Sequence, residues 1–466
     1  MKQAHMIGIC GAGMSAVARL LLQQGYRVTG SDEGFYPPIS DYVATLDVVT
    51  CTGYSPENIP DHVDLIVIGK NAKLTQDNPE VAYAFEHHRD VIKSFPEVLG
   101  DMNQDTHNIV VAGSYGKSTL TSLITWILIN AGKDPNYFIG AKFKNQEHSA
   151  SFTNGDLFVL EGDEYPSANW DDQSKFLHYN AHVVLLTSAC HDHVNIYPTI
   201  DDYHQPFIQL MDQIKESGQL VACLDEEHAR HFYDSCTGNK VSYGFTNDAQ
   251  WSAQDCDYGS VTQATITHNN QDVVTVQTIM LGKHNVQNIV GAAAMLLGQE
   301  LVTVDEFAQG VKTVQGLIRR LDRKVSNDCQ VHVYEGFGSS YEKARSAIDA
   351  MRLHFPDSRL TVVFEPHTFT WRNRTAIEQY QTAFDEVDVV WIHEPPTQGA
   401  GTHEQLSLDE IMVAARAGHG DVRSFGHDTW QDIGQDQNPN DVVLLLSAAD
   451  FDGLQEPIIS EIDKQY

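Results

Sequence analysis

The sequence predicts an α/β protein of three domains, each with a mainly parallel sheet. Short apolar runs alternate with helical patterns along almost all of the 466 residues, which is typical of parallel sheets covered by helices. At about 150 residues per domain, this length favours three hydrophobic cores. Polar stretches before new strands, at 103–106 and 324–328, divide the chain into domains at 1–105, 106–325 and 326–466.

The apolar runs indicate where the strands lie. In the first two domains they predict strands at 5–10, 27–31, 64–68, 108–112, 157–160 and 182–187. In the third domain they predict strands at 332–335, 360–364, 388–392 and 441–446. Between 259 and 280, β-branched residues alternate on both sides of four polar residues, 268–271. This pattern predicts a small antiparallel hairpin inside the second domain.

Charge and composition exclude several classes of function. The chain has 30 basic and 63 acidic residues, a net charge of -33, which repels nucleic acid and anionic lipid. We therefore expect neither as a partner. The seven cysteines include no C-x-x-C pair, so we expect reduced thiols. No apolar run reaches the roughly 18 residues of a membrane span, and Arg19 interrupts the N-terminal apolar stretch. We expect a cytoplasmic protein, either a monomer or a dimer.

A glycine-rich loop follows the first predicted strand and opens a helix. It contains Gly11, Ala12, Gly13, Met14 and Ser15. Glycines let a backbone approach a diphosphate, and the helix start offers unpaired N–H groups to it. Asp32 ends the next strand, where an acidic residue meets a ribose in a dinucleotide fold. The loop alone thus favours a nucleotide in a Rossmann-like domain, NAD included, although it also fits a tight turn without a ligand.

A second glycine-rich loop has the chemistry of an ATP site. After the strand at 108–112 come Gly113, Ser114, Tyr115, Gly116, Lys117, Ser118 and Thr119, and then a helix. Backbone N–H groups of such a loop surround phosphates, the lysine reaches the β and γ oxygens, and the serine hydroxyl binds Mg²⁺. Val111 stands where the first glycine of the usual pattern belongs. We predict ATP binding in a P-loop ATPase-like central domain.

Two further strand ends place polar residues at the same sheet edge. Glu161 and Glu164 follow one strand, and His191 and His193 follow the next. Because carboxyl ends of parallel strands meet at one edge, these residues are expected near the phosphate loop. Glu161 suits Mg²⁺, and His193 suits a second cation, so Ser118, Glu161 and His193 are the predicted metal ligands. Glu164 and His191 are interpreted as solvated loop residues.

Taken together, the motifs resemble those of the Mur ligase family. The resemblance extends along nearly the whole chain, and the motifs occur in the same order as in the family. The family has an N-terminal glycine loop for a UDP-sugar, a G-T-x-G-K-[ST]-T loop, an acidic strand end, a D-H pair and a G-x-H-N-x-x-N helix start. The corresponding stretches here are 11–15, 113–119, 161–164, 192–193 and 282–288. The resemblance implies that His284, Asn285 and Asn288 meet the adenine side of ATP, that Arg320 meets its phosphates, and that Asn71 lies near the UDP-sugar.

The resemblance also implies an activity. Mur ligases are ATP-dependent amide-bond ligases of peptidoglycan synthesis, which activate a carboxylate as an acyl phosphate. The first domain would hold UDP-N-acetylmuramate, the second MgATP, and the Rossmann-like third an incoming amine. Lys117, Glu161 and His193 are then the expected catalytic residues.

Two branches of the family use UDP-N-acetylmuramate, and the sequence divides between them. The stretches 36–40, 162–165 and 174–179 resemble the murein peptide ligase, whose amine is the tripeptide L-Ala-γ-D-Glu-meso-diaminopimelate. The stretch 364–370 and the first glycine loop are nearer to UDP-N-acetylmuramate–L-alanine ligase. Arg372 and Arg374 offer a clamp for the carboxylates of a tripeptide. We therefore expect the tripeptide, with L-alanine as the alternative.

The third domain departs from the family pattern. Gly336, Ser339 and Ser340 replace an aspartate and two histidines, and Ser188-Ala189-Cys190 replaces N-x-E before the D-H pair. Because of these replacements, two alternatives stay open: a ligase with reduced activity, and a relative of the family that binds nucleotide without catalysing a reaction. An NAD-dependent oxidoreductase is the alternative from another class of enzyme. It would explain the first glycine-rich loop, but it would leave the second loop without a function.

Overall fold

The computed structural model describes residues 1–36, 39–193, 196–214, 217–397 and 404–466. The described residues form two compact units. The first contains Met1–Asp255, Ala264–Thr278 and Val286–Gln315, and the second contains Cys256–Gln263, Ile279–Asn285 and Gly316–Tyr466.

Within the described part of the chain, the first sheet has five parallel strands in the order β3-β2-β1-β4-β5. They are β1 (Gln3–Ile7), β2 (Arg27–Asp32), β3 (Val48–Thr52), β4 (Leu65–Ile68) and β5 (Ile92–Lys93). The accompanying helices are α1 (Ala12–Gln23), α2 (Ile39–Ala44), α3 (Pro79–His87) and α4 (Phe95–Met102). The chain runs to opposite sides of β1, so the carboxyl ends of β1 and β4 flank a crevice of the type that binds ligands in α/β proteins.

The second sheet has ten strands over the residues that the structure describes, in the order β17-β16-β15-β14-β13-β12-β6-β9-β7-β8. They are β6 (His107–Ala112), β7 (Asn136–Phe138), β8 (Ala150–Ser151), β9 (Leu157–Gly162), β12 (Val183–Leu186), β13 (Gln219–Cys223), β14 (Asn239–Tyr243), β15 (Trp251–Tyr258), β16 (Thr262–His268) and β17 (Gln271–Thr278). A separate hairpin pairs β10 (Pro166–Ala168) with β11 (Asp171–Ser174). The helices are α5 (Lys117–Asn130), α6 (Ile200–Ile214), α7 (Glu227–Ser235), α8 (Lys283–Leu296) and α9 (Val304–Thr313).

The third sheet, counted over the described residues, has six strands in the order β18-β19-β23-β20-β21-β22, with only β18 antiparallel to its neighbour. They are β18 (Arg320–Arg323), β19 (His332–Gly336), β20 (Leu360–Phe364), β21 (Val389–His393), β22 (Val422–Phe425) and β23 (Val442–Leu446). The helices are α10 (Tyr341–His354), α11 (Phe369–Arg372), α12 (Leu408–Gly418), α13 (Gln431–Gln435) and α14 (Gln455–Gln465).

The predicted α/β architecture with three main sheets is confirmed. Each predicted strand is present, although β1 ends at Ile7 rather than at residue 10 because Gly8, with φ +86°, turns the chain. The predicted hairpin is also present. Asn269 and Asn270, with φ of 50° and 62°, form its two-residue turn, and two residues with positive φ match the twist of paired antiparallel strands.

The first unit has a continuous apolar core. One buried cluster includes Met6 from the first sheet, Val98 from α4, and Phe138 and Phe158 from the second sheet. Residues of both sheets of this unit therefore pack together in one apolar cluster. None of the described helices has both the length and the apolarity that a membrane span needs.

A network of buried polar side chains joins elements of the first sheet. Glu80 in α3 is fully buried, and its Oε1 lies 2.7 Å from His5 Nε2 and accepts from Ser31 Oγ at 2.8 Å. Its Oε2 accepts from the Ser55 N–H and from Asn58 Nδ2, both at 2.9 Å. One carboxylate thus satisfies groups from β1, β2 and the segment after β3. Such satisfied buried networks fix a unique arrangement of the elements that they join.

The first prediction concerns this network. Glu80→Ala is expected to lower the free energy of unfolding by about 3–5 kcal/mol, because it leaves several buried donors without an acceptor. Urea unfolding of the variant measures the change. Glu86→Ala is the matched control, since Glu86 is on the same helix with a side chain that is 76% exposed. Equal stability of the two variants would contradict the assignment.

Candidate functional site

The second glycine loop has a backbone that only glycine permits at two positions. It follows β6 and begins with Gly113, whose φ is +138° and where an added Cβ would lie 2.2 Å from Thr187 Oγ1. Gly116, with φ +81°, immediately precedes α5. A side chain at either position would strain the backbone or collide with the adjacent strand end. The loop therefore leaves the N–H groups at the start of α5 as a possible anion site.

The segment after β12 holds this loop in place. The Ser114 N–H donates to the Ser188 carbonyl at 3.3 Å, and the Tyr115 N–H donates to Ser188 Oγ at 3.0 Å. Ser114 Oγ donates to the Cys190 carbonyl at 2.6 Å. The departure from N-x-E at 188–190 thus supplies a hydroxyl and a carbonyl that bind the loop. The Tyr115 side chain is 44% exposed at the loop surface.

Lys117 contacts a buried carboxylate. Its Nζ lies 2.9 Å from Glu164 Oε2 and also donates to the Gly113 carbonyl. Glu164 is fully buried, and its Oε1 is 3.3 Å from His193 Nε2 and accepts from Tyr203 OH at 3.2 Å. The prediction that Glu164 is a solvated loop residue is therefore wrong. The fold turns this side chain inward, beneath the phosphate loop.

The charges in this cluster stabilise each other. Burial raises the pKa of Glu164, but the hydrogen bond from His193 and the charge of Lys117 outweigh it, and the net pKa of Glu164 is lowered. Burial lowers the pKa of Lys117, but Glu164 and then Asp163 outweigh that effect, and its net pKa is raised. Both groups are thus charged at neutral pH.

Ser118 and Glu161 form an oxygen pair at the start of α5. Ser118 Oγ donates to Glu161 Oε1 at 2.7 Å, and the Gly140 N–H donates to Oε2 at 2.7 Å. Burial raises the pKa of Glu161, with the two hydrogen bonds acting against it. A hydroxyl and a carboxylate beside a phosphate loop fit Mg²⁺, which is usually bound by one or two carboxylates together with substrate phosphates.

His193 does not share this oxygen pair. Its ring faces Glu164 and packs edge-on against Tyr165, with centroids 4.4 Å apart. The contacts of His193 join it to Glu164, and its predicted role toward a second cation stays a prediction. His191 is half-buried, and its Nε2 lies 2.7 Å from the Tyr197 carbonyl. Among the described residues, no group of three His, Cys, Asp or Glu side chains has a metal-binding arrangement.

The remaining predicted ATP residues divide between the two units. Asn288 is beside the phosphate loop, since a Cβ on Gly116 would lie 3.2 Å from Asn288 Oδ1. His284, Asn285 and Arg320 belong to the second unit. Asn285 Nδ2 donates to the Leu281 carbonyl at 2.7 Å, which fixes the start of α8. The Arg320 guanidinium is exposed and lies over the Phe337 ring, 5.3 Å from its centroid.

A cavity of about 450 Å³ opens at the first glycine loop. Most of the predicted UDP-sugar residues line it, namely Gly11, Ala12, Gly13, Met14, Asp32 and Asn71. Ser15 is not among them: it is 1% exposed, and its hydroxyl donates to the Ala12 carbonyl at 3.1 Å. Asp32 accepts from the Cys10 N–H at 2.8 Å, so its carboxylate also holds the loop. Pro37 and Pro38, from the stretch 36–40, lie outside the described residues.

Sequence reasoning missed two basic residues of this cavity. Lys70, after β4, and Lys175, after β11, both line it, as does Phe95 at the start of α4. The signal was present for Lys175, which belongs to the stretch 174–179, but no role was assigned to it. Nothing in the local pattern singled out Lys70.

In the second unit, the proposed carboxylate clamp is already occupied. Arg374 Nε lies 2.5 Å from Glu404 Oε1, and its NH2 lies 2.7 Å from Glu410 Oε1. Arg372 donates to the Pro396 carbonyl at 2.9 Å. Arg374 thus has two carboxylate partners within this chain, and its binding of a substrate carboxylate stays a prediction.

The residues that replace the family's aspartate and histidines are structural here. A Cβ on Gly336 would lie 2.9 Å from Leu446 Cδ2, and the Ser340 hydroxyl caps the start of α10. Lys343 Nζ donates to Ser339 Oγ at 3.3 Å. These contacts account for small residues at the three positions.

Comparisons with known proteins agree with this geometry. Residues 3–106 match the model "Mur ligase family, catalytic domain", and residues 111–296 match "Mur ligase middle domain". A UDP-N-acetylmuramate–L-alanine ligase of Desulforapulum autotrophicum is 27% identical, with 98% of this chain and 97% of the relative covered. A UDP-N-acetylmuramate–L-alanyl-γ-D-glutamyl-meso-2,6-diaminoheptandioate ligase of Haemophilus influenzae is 26% identical, with 99% of each covered.

The solved structure of a UDP-N-acetylmuramate–alanine ligase from Thermotoga maritima has the same fold, with a TM-score of 0.79, 19% identity and full coverage of both chains. The two family models together span more than half of the sequence, in the order and at the loops described above. The chain belongs to the Mur ligase family, whose members are ATP-dependent amide-bond ligases that use Mg²⁺.

Proposed function

We propose that this ligase joins the carboxylate of UDP-N-acetylmuramate to the amino group of L-alanine. In this proposal, residues 1–105 bind the UDP-sugar, 106–325 bind ATP, and 326–466 bind the amine. The observation on which the choice of amine depends is the pairing of Arg374 with Glu404 and Glu410. It gives one of the two arginines that favoured a tripeptide with three carboxylates partners within this chain, whereas L-alanine has no net charge and needs no such cation.

The names of the relatives support the same choice. Of eight similar proteins, seven are named for L-alanine, including the one from Desulforapulum autotrophicum, and the one from Haemophilus influenzae is named for the tripeptide. The tripeptide remains the second candidate, because 162–165 and 174–179 resemble the murein peptide ligase. We no longer favour an NAD-dependent oxidoreductase, because the ATP-dependent activity of the Mur ligase family explains the second glycine-rich loop.

Phosphoryl transfer is the step that the phosphate loop serves. A substrate carboxylate oxygen bonds to the γ-phosphorus as the bond to the bridging oxygen breaks, and ADP leaves with that electron pair. The amine nitrogen then bonds to the acyl carbon, loses a proton and expels inorganic phosphate. The Lys117 ammonium offsets the charge on the β and γ oxygens, and the N–H groups of 113–119 orient them.

We assign the cation to the Ser118–Glu161 pair, and Mg²⁺ there supplies further charge neutralisation on the phosphates. The pair provides two hard oxygen donors, and the Gly140 N–H fixes the carboxylate. His193 acts with Glu164: it keeps this carboxylate in place and thereby positions Lys117. The roles of His284, Asn285, Asn288 and Arg320 toward ATP stay proposals that follow from the family pattern.

The second prediction tests the phosphate loop. Lys117→Ala is expected to lower ATP-dependent phosphate release with UDP-N-acetylmuramate and L-alanine by at least about 10²-fold, because it removes charge stabilisation in the transition state. The variant also leaves Glu164 without its cation, so we expect it to be less stable by about 3 kcal/mol. Lys133→Ala, at the other end of α5, is the control and should keep normal turnover. Near-normal turnover of Lys117→Ala would contradict the proposal.

The third prediction concerns the first glycine loop. Calorimetry of the wild-type protein is expected to show binding of UDP-N-acetylmuramate and none of NAD, because the cavity joins a diphosphate-binding loop to two basic side chains. Binding of NAD without binding of the UDP-sugar would reverse the assignment.

The fourth prediction concerns the amine. In a competition assay the wild-type enzyme is expected to join L-alanine in preference to the tripeptide, and the product is identified by mass. Arg374→Ala should leave the KM for either amine within about twofold, since its charge is already neutralised by two carboxylates. Preferred use of the tripeptide, with a KM that rises in Arg374→Ala, would favour the second candidate. ATP binding without phosphate release for either amine would indicate a non-catalytic relative.

A further inference from the structure

Two lysines form a basic wall of the cavity at the first glycine loop. Lys70 follows β4 of the first sheet, and Lys175 follows β11, which belongs to the segment after β9 of the second sheet. Among the described residues that line the cavity, Asp32 is the acidic one, and its carboxylate accepts a hydrogen bond from the Cys10 N–H. A cavity with two cations in a protein of net charge -33 is a local site for an anion.

The Lys175 ammonium is fixed in position. Its Nζ lies 2.6 Å from Asp163 Oδ2, and it lies over the rings of Phe95 and Tyr165 at 5.4 and 5.6 Å from their centroids. Its side chain is 16% exposed. Burial raises the pKa of Asp163, but Lys175 outweighs it, and the net pKa of Asp163 is lowered. An ion pair and two cation–π contacts together restrict the lysine far more than a surface lysine is restricted.

The Lys70 ammonium has a different environment. It has no hydrogen bond or ion pair with any of the described residues. Burial lowers the pKa of Lys70; Asp172 acts against this, and the neighbouring charge of Lys175 acts with it. The two ammonium groups are thus close enough to repel each other. An anion between them would relieve that repulsion.

The position of Lys175 relates the cavity to the phosphate loop. Its partner Asp163 lies in the segment 161–164, where Glu161 contacts Ser118 and Glu164 contacts Lys117. One short segment after β9 therefore fixes a cavity lysine through one side chain and the loop through two others. The basic wall is accordingly the part of the UDP-sugar cavity that is coupled to the phosphate loop, whereas the glycine loop at 11–14 faces the diphosphate.

We propose that Lys70 and Lys175 bind the substrate carboxylate that receives the phosphoryl group, and that the Asp163–Lys175 pair orients this carboxylate toward the γ-phosphate. This inference rests on the proposed function. It assigns two specificity-determining residues to the acceptor, because a UDP-sugar without that carboxylate leaves both ammonium groups without their ligand. Neither lysine exchanges a proton in the reaction, since the carboxylate attacks in its ionised form.

The test compares two ligands that differ in this group. Calorimetry measures the affinity of wild type, Lys70→Met and Lys175→Met for UDP-N-acetylmuramate and for UDP-N-acetylglucosamine, which has the same diphosphate and no carboxylate. Each variant is expected to bind UDP-N-acetylmuramate at least about 10-fold more weakly and UDP-N-acetylglucosamine within about twofold of wild type. Lys73→Met is the matched control, because Lys73 is 64% exposed, pairs with Glu33, and does not line the cavity.

Equal losses for both ligands would show that the lysines bind the diphosphate and would overturn the inference, as would unchanged affinity for both. A wild-type protein that binds the two ligands equally well would also overturn it. Wild-type protein that binds neither UDP-sugar would instead contradict the proposed function itself. Thermal unfolding of each variant checks its folding, and Lys175→Arg, which keeps the charge, should recover part of the lost affinity.

Discussion

The buried Glu164 carboxylate is the constraint on which the ATP site depends. It lies beneath the phosphate loop, fully buried, and is held by Lys117, His193 and Tyr203. A buried charge is tolerated only when its partners satisfy it, so the site needs both the lysine and the histidine in fixed positions before any nucleotide binds. The arrangement is therefore preorganised, since Glu164 and the Gly113 carbonyl hold Lys117 beside the loop that we propose binds the phosphates.

This constraint explains why the segments around the loop tolerate departures from the family pattern. Tyr203 also lies 2.9 Å from Ser114 Oγ, which in turn donates to the Cys190 carbonyl. The loop is thus held by backbone and hydroxyl groups, and these do not require the usual asparagine and glutamate at 188–190. In the third sheet, by contrast, Gly336 lies close to Leu446, Ser339 accepts a hydrogen bond from Lys343, and Ser340 caps a helix.

The sequence was sufficient for features with a local cause. Both glycine loops were predicted because a strand, a turn that needs glycine and a helix follow each other within a few residues. Glu164 was misjudged because its burial depends on Tyr203, which is 39 residues away. The pairing of Arg374 with Glu410, 36 residues away, was missed for the same reason. Strands such as β3, with half-exposed residues, were missed because they show no continuous apolar run.

The chain has 63 acidic and 30 basic residues, so the surroundings of each cation are informative. Several of the described lysines and arginines pair with a carboxylate, as Arg374 does with two glutamates. A surface ion pair of this kind contributes little stability. Lys70 has kept no such partner among the described residues, and Lys175 has one that also connects it to the segment 161–164. In a protein that repels anions overall, two lysines in one cavity attract an anion locally, which is why we propose them for the substrate carboxylate, whereas an amine without net charge needs no comparable cation.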